Sequence, residues 1–154
     1  MPAPALDEQI KKENRIVAGW LLFYHDRRRE YLDQREGIIH SSGPCLSDVV
    51  PGGANITSDT TGRKGQKLAD LEVTRQWLKL IADVESRLPA DLKVFLRLRQ
   101  EYRYCRGRKG WTASVQWRLA DELNIEVETR QNLHTRWNRI VDITARMAAK
   151  RNLL

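Results

Sequence analysis

From Gly110 to Met147 the sequence admits one simple fold, two helices joined by a sharp turn. Leu119 and Leu123 lie one helical turn apart and share a face. Ala120 between them is small, so a second helix can cross closely. Asn124 follows, where the chain must leave the first helix, and Asn accepts the left-handed backbone better than most residues with a Cβ. Ile125 is expected to plug the core just past the turn. Beyond it Leu133, Trp137, Ile140, Val141 and Thr144 recur at helical spacing. Helix, turn and helix in this order form the unit that lays its second helix in a DNA major groove. Two amphipathic helices also occur in most helical proteins, so the pattern needs a second argument.

Charge supplies it. Residues 97–151 hold 13 Lys and Arg against 6 Asp and Glu, an excess equal to the net charge of +7 of the whole chain. The remaining residues balance. An excess confined to the segment with the helix-turn-helix is what phosphate binding requires. Membrane lipid is a poorer partner, because no basic helix has a fully apolar opposite face, and no apolar run approaches the length of a membrane span. The start, Met1-Pro2-Ala3-Pro4-Ala5, lacks the basic and apolar parts of a signal peptide. With Cys45 and Cys105 far apart, no disulfide framework is expected, and the cytoplasm is the expected compartment.

The rest of the chain reads as helices around one long interruption, an all-α bundle. A first helix is expected from about Asp7, with Ile10, Val17, Trp20, Leu21 and Tyr24 on one stripe and Tyr31 extending it. His25-Asp26-Arg27-Arg28-Arg29-Glu30 falls late in this helix or just after a kink. Its arginines read as a solvated helix end or, less simply, as a second DNA contact. Residues 37–65 carry six of the nine glycines, with Pro44 and Pro51, and are expected to form a long loop, functional or partly disordered. Ile38-Ile39-His40 is its apolar island, expected to tuck against the helices. Gly62-Arg63-Lys64-Gly65 and Gly52-Gly53 could at most cradle a phosphate, since the Walker spacing is absent.

A second helix is expected over about Gln66–Arg87 on Leu68, Leu71, Leu78, Ile81 and Ala82, with Trp77 beside them. Leu88-Pro89 ends it. A third, about Ala90–Tyr104, turns Leu92, Phe95, Leu96 and Tyr102 inward and Lys93, Arg97, Arg99 and Arg103 outward. The chain thus divides into an N-terminal helical region (1–36), the loop (37–65) and a helical body (66–154) whose helix-turn-helix module spans about 90–147.

The chemistry of catalysis is not in view. The three histidines and two cysteines show no ligand spacing, so no metal or other cofactor is expected. No elbow motif surrounds Ser41 or Ser42. Cys105 has basic neighbours but reads as a half-buried structural thiol. The chain is read as a binding protein, not an enzyme.

The order of segments resembles the RinA-type activators of phage late transcription, whose C-terminal part looks like the region 4 helix-turn-helix of sigma factors. In that family I-I-x-S-S and S-D-x-T-x-[RK]-K-x-x-x-L segments flank a variable glycine-rich loop. Ile38-Ile39-His40-Ser41-Ser42 and Ser58-Asp59-Thr60-Thr61-Gly62-Arg63-Lys64, with Leu68 closing the second motif, match them. The resemblance spans roughly residues 30–147. The chain departs from the family where Asn124-Ile125-Glu126-Val127-Glu128 replaces a shorter turn and Arg130 stands at an aliphatic position.

The resemblance implies a phage or prophage regulator in a bacterial host, which binds double-stranded promoter or operator DNA ahead of packaging and morphogenesis genes. It also implies a contact with RNA polymerase. A homodimer is a further possible assembly. On this reading Glu126, Glu128, Gln131, Asn132 and Thr135 face base edges. Arg108, Lys109, Arg118, Arg130, Arg136 and Arg139 grip phosphate. Trp111, Trp117 and Trp137 are expected in the core. Two rival readings are a small terminase subunit that marks viral DNA for packaging, and an interaction module for host polymerase that never touches DNA.

Overall fold

A computed structural model describes residues 3–40, 60–105 and 110–154, and among them every regular element is a helix. In chain order these are α1 (Ala3–Leu22), α2 (Tyr24–His40), α3 (Thr60–Asp70), α4 (Glu72–Arg87), α5 (Ala90–Glu101), α6 (Gly110–Leu123) and α7 (Arg130–Lys150). The all-α bundle expected from periodicity is the observed architecture. None of the described helices is long and apolar enough to cross a membrane.

One core joins α1 with α4 to α7. Val17 and Leu21 of α1 meet Leu80, Ile81 and Val84 of α4, and Leu92, Phe95, Leu96 and Leu98 of α5. Val115 and Leu119 of α6 and Leu133 and Ile140 of α7 close it. Each such side chain contributes about 1.5–3 kcal/mol on leaving water, so these long-range contacts hold helices whose isolated propensity is modest. Trp77, expected beside the stripe, is itself buried. Its ring stacks on Trp20 at 5.2 Å, and the Arg27 guanidinium caps Trp20 from the other element at 4.1 Å.

Several expected boundaries move. The first helix is broken at Phe23: α1 stops at Leu22 and α2 restarts at Tyr24, so the arginine run lies just after the kink, the second of the two expected placements, and opens α2 instead of forming a helix end. Asp26 in that first turn accepts from Arg29 and from Arg103 in the turn after α5, which suits an acid at a helix start. Gln66–Arg87 is likewise divided, at Leu71. The loop assigned to 37–65 is helical at both ends: Gly37 and Ile38-Ile39-His40 belong to α2, and Gly62-Arg63-Lys64-Gly65 to α3. Here Gly62 falls in the first turn of α3, and Lys64 and Gly65 lie beyond it, where the amides are spent within the helix, so the segment is a helix start and not a glycine loop. Ile38 is half-buried beside α3, whereas Ile39 is exposed. Gly52-Gly53 and Ser41-Ser42 lie outside the described residues.

Pro89 separates α4 from α5 as expected. The Leu88 N–H closes α4 on the Val84 carbonyl, and Pro89 caps α5 with a fixed φ of −56°. On α5 the expectation fails for Arg99, which points into the core and is only 9% exposed.

Candidate nucleic-acid interface

The turn between α6 and α7 is built by Asn124. Its φ is +51°, the left-handed conformation its side chain tolerates. With the chain so reversed, the Asn124 N–H donates to the Asp121 carbonyl and the Ile125 N–H to the Ala120 carbonyl at 3.0 Å. This pair of bonds is a Schellman ending, which satisfies carbonyls the helix would leave orphaned. The chain then runs back along α6, where Gln116 Nε2 donates to the Glu128 carbonyl at 2.9 Å. Thr129 caps α7: its hydroxyl accepts from the Asn132 N–H at 3.2 Å, as N-caps do. The link from Asn124 to Thr129 is longer than the three or four residues of the shortest helix-turn-helix units. Ile125 does not plug the core; it is 41% exposed.

α7 buries Leu133, Ile140, Val141, Thr144 and Ala148. By helical periodicity the opposite arc carries Gln131, Thr135, Asn138, Arg139, Asp142 and Arg146, with Asn132 at its edge, and all are exposed. Thr135 spends its hydroxyl proton on the Gln131 carbonyl at 2.9 Å and keeps its lone pairs outward. Asp142 and Arg146 pair with each other at 2.9 Å. The arc's first turns therefore offer amide and hydroxyl groups and the cation of Arg139. Asn138 belongs to this set and was missed in the sequence; its position one turn after Thr135 was the available signal.

The expected contact residues divide by what already holds them. Gln131, Asn132 and Thr135 share the exposed arc of α7, and Glu126 lies exposed in the turn ahead of it. Glu128 does not present a free carboxylate: both its oxygens accept from Arg136, at 2.8 and 2.6 Å. Arg136 also donates to Asp91 of α5 at 2.7 Å. Glu128 foremost holds the Arg136 pKa above the usual guanidinium range, and Arg136 in turn holds the Asp91 carboxyl below the usual carboxylate range. Arg136 thus locks the turn to α5.

Arg118 is similarly engaged. It donates to Glu101, to the Tyr102 hydroxyl at 3.3 Å and to Glu122 at 3.2 Å, and Glu122 also pairs with Arg97. Arg130 and Arg139 are exposed and enter no ion pair among the described residues. Arg108 and Lys109 lie outside the described residues.

Of the tryptophans, Trp111 and Trp137 pack on the core as expected, but Trp117 is 69% exposed on α6. Trp111 meets Phe95 and His134 edge-on at 5.9 and 5.3 Å. Arg99 lies between Trp111 and Trp137, 4.4 and 5.2 Å from their ring centres. Cys105 is exposed, not half-buried, with its Sγ 3.8 Å from the Ser114 hydroxyl.

No protein-family model, curated protein or solved structure matches this chain.

Proposed function

We propose that the chain is a sequence-specific double-stranded DNA-binding protein that reads bases with the outer face of α7. One observation carries this reading. The arc formed by Gln131, Asn132, Thr135, Asn138 and Arg139 is exposed, rich in groups that pair with base edges, and unopposed by any free acid of its own helix. Gln and Asn side chains can each make a two-point pairing with adenine, and Arg139 beside them supplies a cation for phosphate. The left-handed turn at Asn124 and the Thr129 cap fix where that arc begins. The resemblance to RinA-type activators supplies the biological setting: activation of phage late genes from a site ahead of the packaging and structural operon, with host RNA polymerase as the second partner.

The test is selection of duplexes from a randomised library by the purified chain, repeated with Gln131→Ala and Asn132→Ala. A defined preferred sequence is expected, with each variant relaxing preference at one or two positions by about 1–3 kcal/mol. Selection of no preferred sequence, or an unchanged preference in both variants, would sink base reading by α7. Occupancy mapped across a lysogen genome then tests the setting: a peak ahead of the late operon supports activation, and a peak inside the packaging start supports the terminase reading.

A further inference from the structure

The first helix lies beside the proposed reading helix. α1 packs along α7, and a groove of about 220 Å³ opens between them. Its lining is Asn14, Arg15 and Ala18 from α1 and Trp137, Asn138 and Val141 from α7. The floor, Ala18 and Val141, is small and apolar. The rim carries two amides and a guanidinium. Arg15 is exposed and enters no ion pair or hydrogen bond among the described residues. Lys11 and Lys12, one turn earlier on neighbouring ridges, are exposed and equally unpaired. The acids of α1 are Asp7, Glu8 and Glu13, and Glu13 accepts from Gln9 at 2.7 Å. Asn138 belongs both to this groove and to the exposed arc of α7, so the two surfaces are continuous.

We propose that the groove between α1 and α7 holds the sugar–phosphate backbone of one DNA strand beside the bases read by α7. Arg15 and Lys11 neutralise phosphates, Asn14 donates to a phosphate oxygen, the Ala18–Val141 floor faces deoxyribose, and Asn138 stands where the groove meets the base-reading arc. The inference rests on the DNA-binding reading above and extends it, because it gives the N-terminal helix a role in the same interface. Unpaired cations beside amide donors and a narrow apolar floor match a polyanionic strand. An acidic protein segment would satisfy the cations but has no use for a groove continuous with a base-reading face.

The experiment uses the full chain and its selected duplex, with affinity measured by fluorescence anisotropy across a salt series. Wild type is compared with the double variant Lys11→Ala/Arg15→Ala and with Arg15→Lys. Both substituted side chains are exposed, so thermal unfolding should be unchanged. The double variant is expected to bind every duplex more weakly by the same factor. The slope of log K on log salt should fall by about two, since each lost phosphate contact removes about 0.9. Arg15→Lys should keep the wild-type slope, and the base preference should stay the same in all. A double variant with wild-type affinity and slope overturns the groove assignment and leaves base reading by α7 standing. A wild-type chain that binds no duplex overturns both, and salt-sensitive capture of an acidic peptide instead would identify the alternative occupant.

Discussion

Arg99 is the residue whose placement most opposes its chemistry. It stands on the same stripe of α5 as Leu92, Phe95 and Leu96, and the stripe faces the core. Its Nε and Nη1 are buried with no hydrogen-bond partner, and burial pulls its pKa down to about 10. It is therefore still charged at neutral pH. A cation whose native pKa lies below its unfolded value costs stability wherever it is charged, and the cost is relieved only as pH rises above about 10. The offsetting gain is the pair of indole faces, about 2 kcal/mol or more for a desolvated cation–π contact. Desolvation of an unpaired buried charge is the larger effect. Arg99→Met fills the same space without charge and is expected to unfold at the wild-type temperature or a few degrees higher. Arg99→Ala leaves a void and should lose about 2–4 kcal/mol. Thermal unfolding at neutral pH decides: a clear drop in the Met variant would mean that guanidinium–indole stacking outweighs desolvation. Spacing alone put residue 99 on the inner stripe; its charge argued the other way, and only the tryptophans from α6 and α7 resolve the conflict.

At the scale of elements, the helix-turn-helix hinges on one backbone conformation. Asn124→Gly relieves the left-handed strain and should change stability by no more than a few tenths of a kcal/mol. Asn124→Ala keeps the Cβ, loses the local polar compensation and should cost about 1–2 kcal/mol, read as a lower midpoint in urea. Equal midpoints for the two variants would contradict the role given to the turn. This turn was legible because left-handed tolerance is a local property of Asn. So was the inner face of α7, where five apolar or small residues keep helical spacing, and the stop at Leu88-Pro89. The break at Leu71 was not legible, and that at Phe23 only as a kink left open beside a continuous helix: neither position is Gly or Pro, and backbone bonds run on through both, from Phe23 to Gly19 and from Leu71 to Lys67. Nor was α3, whose two glycines and threonines have the composition of a loop. Among the site residues, Gln131, Asn132, Thr135 and Arg139 could be placed by periodicity, whereas Glu128 and Arg136 could not. Their pairing closes a turn whose path depends on α5.

For the whole molecule, the positive excess of the C-terminal half is not spread evenly over its arginines. Arg118 and Arg136 are spent inside the fold, each bound to two carboxylates, while Arg130 and Arg139 keep their charge for solvent. A polyanion meets only the second kind, because a cation already paired to acids releases no counterion from DNA. The two pairs should therefore separate by experiment. Arg130→Ala/Arg139→Ala is expected to unfold like wild type but to bind DNA with a salt slope lower by about two. Arg118→Ala/Arg136→Ala should behave in the opposite sense. It takes a partner from each of Glu101, Glu122, Glu128 and Asp91, leaving Glu122 to Arg97 alone, and loosens the turn against α5, so its unfolding temperature falls. At temperatures where it remains folded, its salt slope stays near wild type. A loss of slope in the second variant equal to that in the first would mean that DNA breaks these ion pairs on binding. The interface would then extend across the turn as well as along α7.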